Sequence, residues 1–374
     1  MGTPPSTIVV GGGIAGLSIA WQLAKDGARA VTLLEREAMV GTHSSARNAQ
    51  IWLPTDDDET TGPLARRTAA LMTALAGGEA TWLRRGDAIV IVPDDAHVAS
   101  IERGAARGQL RARRASADEL HEKSPLVRRD RAKEPALVVE GAGIFDPHAM
   151  ISALERACRA ARVRVETGAT ARSLLGTDRV RGVLLEDGRE LSADEVVVAG
   201  GAWARELGAS AGADVPLVAL RRHLVLLEAD PRRAGTTVWR FGDRQVYYRP
   251  ESGGVLASPC DEEPSEPGLP PSDPAALEAL AEALEPIAPE LVEARVRTKW
   301  ACLRTYAHDR ELVLGPDPRV EGLAWMAGFG GRGMTVALGA AELCAAAMRG
   351  EASELLALTR PDRAQPPSLL PPSC

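Results

Sequence analysis

The residues best suited to chemistry in this chain are an arginine inside an apolar strand, two adjacent tyrosines, and two glycine clusters near opposite ends. Arg304 stands among Trp300, Leu303 and Tyr306, where an unpaired guanidinium is costly to bury. A planar guanidinium grips a carboxylate through two parallel hydrogen bonds, which fixes distance and angle together. A buried structural salt bridge is the alternative use of such a residue. The chain has three tyrosines, and two of them, Tyr247 and Tyr248, are neighbours in a run that reads as a strand. Successive strand residues face opposite sides, so one phenol can reach a carboxylate oxygen while the other packs in the core. Arg222, read alone, is a strand-end or surface charge.

The first glycine cluster is Gly11-x-Gly13-x-x-Gly16. It follows a short apolar strand, Ile8 to Val10, and opens a helical pattern through Ile14, Leu17, Ile19, Ala20, Leu23 and Ala24. Val31 to Leu34 read as a second strand, closed by Glu35, 19 positions after Gly16. In such a βαβ unit the glycines permit the tight turn, the approach of backbone to a pyrophosphate and close packing of helix on strand. The free N–H groups of the first helical turn hold the phosphates, and the terminal acid accepts ribose hydroxyls. The second cluster, Gly328 to Thr335, again leads into an apolar helix, Val336 to Met348. Its helix dipole suits the electron-rich end of a reduced flavin. Two such devices about three hundred residues apart, with a hydroxyl-rich loop from Gly41 to Gln50 behind the acid, favour one extended cofactor, FAD, over NAD.

These motifs, together with LEREAMVGTHSSARNA, AGIFDPHAMISAL, VVVAGGAWARELG, LRRHLVLLE, QVYYRP, KWACLRTY and GFGGRGMTVALGAAEL, resemble the D-amino-acid oxidase superfamily of FAD-dependent amine oxidoreductases. The likeness is greatest to its D-arginine dehydrogenase and glycine oxidase types. The resemblance implies FAD contacts from Gly11, Gly13, Ile14, Ala15, Gly16, Glu35, Arg36, Ser44, Ser45, Arg47, Asn48, Ala171, Gly200, Gly201, Trp203, Gly330, Arg332, Gly333, Met334 and Thr335. It implies substrate contacts from Arg304, Tyr247, Arg222 and the Gly331 carbonyl, with Asp87 facing a cationic side chain; a turn before a strand is the plainer reading of Asp87. FAD is expected to be held without a covalent bond. Cys302, in a CxxT stretch that matches the attachment cysteine of some sarcosine-type relatives, is the alternative attachment point. His43 is expected to serve the cofactor loop.

The implied reaction is hydride transfer from the Cα of an amino acid, foremost a D-amino acid, to the flavin. The imine then hydrolyses to a 2-oxo acid and ammonia, and oxygen or a quinone takes the electrons. A glycine- or sarcosine-type secondary amine, a 2-hydroxy acid, or a role as the flavin subunit of a hetero-oligomeric dehydrogenase are the competing readings. Two departures bear on substrate: Ile51-Trp-Leu-Pro-Thr-Asp56 replaces a loop that carries a histidine and a tyrosine in the resembling type, and Thr305 stands where many amine oxidases have proline.

The elements that must position these residues imply a two-domain α/β + β fold. A discontinuous Rossmann-type FAD domain (1–84, 141–215 and 308–374) carries an inserted β-rich substrate domain (85–140 and 216–307). The length, 374 residues, suits two subdomains, since single cores stop growing near about 250–300 residues. Asp146 and Pro147 read as N-cap and first residue of a helix. Residues 94–135 read as a solvated layer whose charge run, Arg111 to Arg114, is a wet surface, and the proline-rich tail from 361 is expected to be loosely attached. A net charge of −7 gives no reason to expect nucleic-acid binding. No apolar run approaches the roughly 18–20 residues of a membrane span, and no signal peptide precedes Ile8, so the expected location is cytoplasmic, as monomer or homodimer. Five scattered cysteines and six unpaired histidines predict no metal and no disulfide framework.

Overall fold

The computed structural model describes residues 4–129 and 134–366. Among the described residues the chain builds three sheets. The first has six strands in the order Val313–Pro316, Leu323–Ala327, Glu195–Val198, Ser6–Val10, Ala30–Glu35, Arg164–Thr167. Its pairings are parallel except that between Val313–Pro316 and Leu323–Ala327. These strands are apolar on both faces because both faces are covered. Val9, Leu33, Val197 and Met326 pack under the helices Ile14–Ala24, Pro147–Ala160 and Gly333–Met348. Their alternating neighbours Ile8, Val10, Val196, Val198 and Trp325 pack against the small antiparallel sheet Ala171–Leu175, Gly182–Leu185, Glu190–Ser192 and the helix Ala204–Ala209. As expected, Asp146 caps its helix by accepting from the Ala149 N–H at 2.9 Å.

The large sheet runs Glu263–Pro264, Leu217–Leu227, Gly254–Ser258, Val246–Glu251, Thr237–Arg240, Leu83–Ile91, Ala136–Phe145, Ile51–Trp52. Val296–Ala307 pairs with Leu217–Leu227, and Arg111–Arg114 with Ala136–Phe145. This sheet reaches beyond the boundaries read from sequence. Leu83–Ile91 starts before residue 85, Ala136–Phe145 runs past 140, and Ile51–Trp52 joins it from within the first segment. The charge run is an edge strand whose Arg113 is held by Glu119 and Glu140. Residues 361–366 are docked rather than loose: Arg363 pairs with Asp309 at 2.6 Å, and the Gln365 side chain accepts from the His308 N–H at 3.0 Å. The rest of the tail, with Cys374, lies outside the described residues.

Candidate active site

The two glycine-rich helix starts meet. Gly13 precedes the helix Ile14–Ala24, Arg332 precedes Gly333–Met348, and a Cβ placed on Gly333 would come within 3.3 Å of the Ile14 side chain. Gly16 lets this junction form, since a Cβ there would stand 1.7 Å from the Gly11 carbonyl oxygen. The Ile14 N–H donates to the Ser45 hydroxyl at 2.9 Å. Glu35, buried at the strand end, accepts from the Gly12 and Glu37 N–H groups at 2.7 and 2.9 Å. Farther along, the Arg36 guanidinium lies 4.3 Å over the Trp203 ring, and His43 meets the same ring edge-on while pairing with Glu37 at 2.9 Å. A cavity of about 590 Å³ is lined by Gly13, Ile14, Glu35, Arg36, His43 and Trp203, and it takes in Ala169 and Ala171 as well as Tyr247 and the Gly328–Thr335 turn.

The cofactor loop is laced onto the strand Val296–Ala307. The Trp300 indole donates to the Arg47 carbonyl at 2.9 Å, Arg47 donates to the Ala301 carbonyl at 3.3 Å, and the Ser44 hydroxyl donates to the Leu303 carbonyl. From the other side, the Gly330 N–H donates to the Thr305 carbonyl at 2.8 Å. Arg304 is thereby bracketed between the two glycine-rich segments. Its guanidinium lies against Gly331, where a Cβ would come within 2.8 Å of an Nη atom. Register puts Leu220 opposite Arg304 and Arg222 opposite Cys302, so the two arginines are diagonal neighbours on one face of the sheet.

Arg304 makes no ion pair or hydrogen bond among the described residues, although it is only partly exposed and lines the cavity. Burial lowers its pKa, but the Tyr247 and Tyr306 phenols and nearby thiols outweigh that, so the direction is upward and the guanidinium stays charged. Beside it, the fully buried Tyr247 hydroxyl has no hydrogen-bond partner. Tyr248 does not line the cavity and shares a hydrogen bond with Ser124 at 2.9 Å. Arg222 is partnered differently from Arg304: it donates to Glu262 at 2.9 Å, and Glu262 also takes Arg310 at 2.6 Å. Burial raises the Glu262 pKa, but the Arg310 hydrogen bond and the charges of Arg222, Arg310 and Arg304 pull its carboxyl below the ordinary range.

A carboxyl-bearing wall lies beside the second glycine turn. Arg332 pairs with Asp58 at 3.1 Å and donates to the Thr61 hydroxyl at 2.9 Å. Asp56 and Glu311 line the same cavity. Desolvation by the surrounding cavity walls pushes both carboxyls above the ordinary range, although the Asp56 residue itself is exposed; Arg332 opposes the shift at Asp56, and the Thr60 hydroxyl opposes it at Glu311.

Of the residues expected from sequence, Gly16 and Asp87 do not line the cavity. Gly16 acts from beneath it. Asp87 is a correction: its carboxylate takes the Lys123 ammonium at 2.6 Å. No residue of its strand, Leu83–Ile91, lines the cavity. Cys302 is buried and its thiol is pushed up by that burial, which disfavours the thiolate needed for attachment. Sequence reasoning passed over Asp56, Asp58, Glu262, Glu311, Trp239 and Phe241. Trp239 and Phe241 were findable, because they alternate on a strand of the inserted sheet. The acids carried no local signal, since their partners are distant in sequence.

The residues present fit an extended dinucleotide: a side-chain-free turn at a helix start, an acid at the second strand end, an aromatic and cationic wall at the far pole, and a second helix start at the near one. Among the described residues no three His, Cys, Asp or Glu side chains converge as metal ligands, and no helix is long and apolar enough to cross a membrane.

The family model for FAD dependent oxidoreductases matches residues 6–347. The chain is 27% identical over 364 residues to 4-methylaminobutanoate oxidase (formaldehyde-forming) of Paenarthrobacter nicotinovorans, covering 89% of this chain but 42% of that protein. It is 27% identical over 342 residues to glycine oxidase of Geobacillus kaustophilus (strain HTA426), covering 86% of each. Its fold superposes on L-proline dehydrogenase from P. horikoshii with a TM-score of 0.85 at 20% identity, over 96% of this chain and 98% of that one. For the crystal structure of the Geobacillus kaustophilus glycine oxidase the TM-score is 0.81 at 22% identity, over 96% and 99%. The strand–glycine–helix unit at one end, the glycine turn at the other and the sheet inserted between them thus have one origin: the chain belongs to the family of FAD-dependent oxidoreductases of the D-amino-acid oxidase type, with FAD as its cofactor.

Proposed function

We propose that the protein oxidises the C–N bond of an amine that carries a carboxylate, an α-amino acid or its N-alkyl relative, with the D-amino acid the leading form. The observation that carries this reading is Arg304, a guanidinium that makes no ion pair or hydrogen bond among the described residues, lining a cavity beside the Tyr247 hydroxyl. An uncompensated charge in such a place is costly, and a bound carboxylate removes the cost through two charge-assisted hydrogen bonds. The glycine oxidase and 4-methylaminobutanoate oxidase relatives act, by name, on amines that bear a carboxylate, which supports the reading.

In this account Arg304 sets the distance and angle of the substrate carboxylate, and Tyr247 donates to one of its oxygens. The Gly331 carbonyl accepts an N–H of the substrate amine. FAD, when bound, would supply the acceptor for the hydride of the substrate carbon, which carries both electrons of the oxidation. The protein's share is therefore mostly positioning and exclusion of water, which is worth several orders of magnitude when reacting atoms are held in line. Asp56 and Glu311, which line the cavity with carboxyls raised above the ordinary range, are the groups suited to take the ammonium proton that must leave before the amine can be oxidised.

Anaerobic mixing of the FAD-loaded protein with D-, L- and N-methyl amino acids tests this reading. Arg304→Ala is expected to slow flavin bleaching or weaken substrate binding by about a hundredfold, roughly the loss of two charged hydrogen bonds. Unchanged rates and affinity would overturn the assignment of the clamp.

A further inference from the structure

Beyond the clamp, the cavity carries an aromatic shelf that indicates what kind of side chain the substrate bears. Trp239 lies directly across from Tyr247 on the neighbouring strand, with ring centroids 5.1 Å apart and planes at 55°. Phe241 follows two residues on, its ring parallel to that of Trp239 within 2° at 5.3 Å. The two-residue spacing puts Trp239 and Phe241 on one face, and the intervening Arg240 pairs with Glu134 at 2.6 Å. Three rings therefore extend in a row from the carboxylate anchor.

Tyr247 is fully buried, whereas Trp239 and Phe241 are only partly covered and both line the cavity. In a chain with three phenylalanines and seven tryptophans, two large rings uncovered side by side within a cavity form an apolar surface that a ligand would cover. The same rings pack against the cluster that holds Leu53, so the surroundings of the shelf are apolar too. Of the acids that line the cavity, Asp58 pairs with Arg332 and Glu262 with Arg222 and Arg310, while Glu35 accepts from the Gly12 and Glu37 N–H groups and Glu311 from the Thr60 hydroxyl. Asp87, on the strand beside the shelf, is turned to Lys123.

We propose that the substrate is an amino carboxylate whose side chain is aromatic or bulky and apolar, seated on Trp239 and Phe241 while its carboxylate is held by Arg304. This deepens the proposed function and rests on its carboxylate clamp. Stacking against an aromatic face adds to the burial of apolar area, so an aromatic ligand gains over a short one with the same carboxylate.

The test measures, by calorimetric titration of the FAD-loaded protein, the dissociation constants of propionate and 3-phenylpropionate, two carboxylates that are not oxidised as amines. The expected result is at least about tenfold tighter binding of 3-phenylpropionate, about 1.4 kcal/mol. Trp239→Ala should bring the ratio below about threefold. Phe241→Leu, which keeps an apolar side chain and so protects folding, should lower the ratio by about threefold. Equal binding of the two carboxylates by the parent protein, with both abolished in Arg304→Ala, would overturn the shelf and leave the clamp standing. Failure of both carboxylates to bind, or indifference of both to Arg304→Ala, would overturn the clamp itself.

Discussion

At the scale of single residues, adjacent side chains of one chemical type have been given opposite tasks by the pleat of a strand. Tyr248 completes a buried hydrogen bond with Ser124, and Tyr247 presents an unpartnered hydroxyl beside Arg304. Tyr248→Phe should therefore cost about 1–2 kcal/mol of unfolding free energy, because it strands a buried serine hydroxyl, and leave carboxylate binding alone. Tyr247→Phe should leave stability within about 0.5 kcal/mol, because no bond is lost, and weaken carboxylate binding. Denaturant unfolding and ligand titration on both variants separate the two roles; identical effects would contradict them.

At the scale of elements, the site depends on helix starts being brought against strands. Gly16→Ala places a methyl group 1.7 Å from the Gly11 carbonyl oxygen, so the helix Ile14–Ala24 must move outward. The expected cost is about 1–3 kcal/mol, as for other overpacked contacts, with weaker retention of FAD measured by dialysis; a variant that keeps both stability and FAD would show that the helix start is not the phosphate cradle. This scale also shows what was legible in the sequence and why. The cradle was readable because its glycines, strand, helix and acid are contiguous, and each is required by local geometry. Arg304 was readable because a charge inside an apolar strand is anomalous wherever that strand lies. Asp87 misled because its partner, Lys123, sits on an inserted segment that periodicity cannot place in space. Glu262 and Glu311 gave no signal for the same reason, and the strand Ala136–Phe145 ran past its expected boundary because an apolar run does not reveal which sheet it joins.

At the scale of the whole molecule, the two bodies share one cavity, and the segments that join them are those that hold the cofactor loop against Arg304. The Ser44, Arg47 and Trp300 contacts tie the loop to the inserted sheet, while Gly330 ties the second glycine turn to Thr305. Cofactor binding and substrate alignment are thus built on one strand, Val296–Ala307. A ligand that binds only the folded state stabilises it by mass action, about 2.7 kcal/mol at a hundredfold excess over its dissociation constant, so FAD is expected to raise the cooperativity of the two bodies together. The most direct test of the central claim is anaerobic mixing of the FAD-loaded protein with amino acids and with their 2-hydroxy analogues, followed by absorbance of the flavin. The account predicts bleaching by an amino carboxylate, primary or N-alkylated, and none by its hydroxy analogue; bleaching by the hydroxy acid with every amine inert would contradict it.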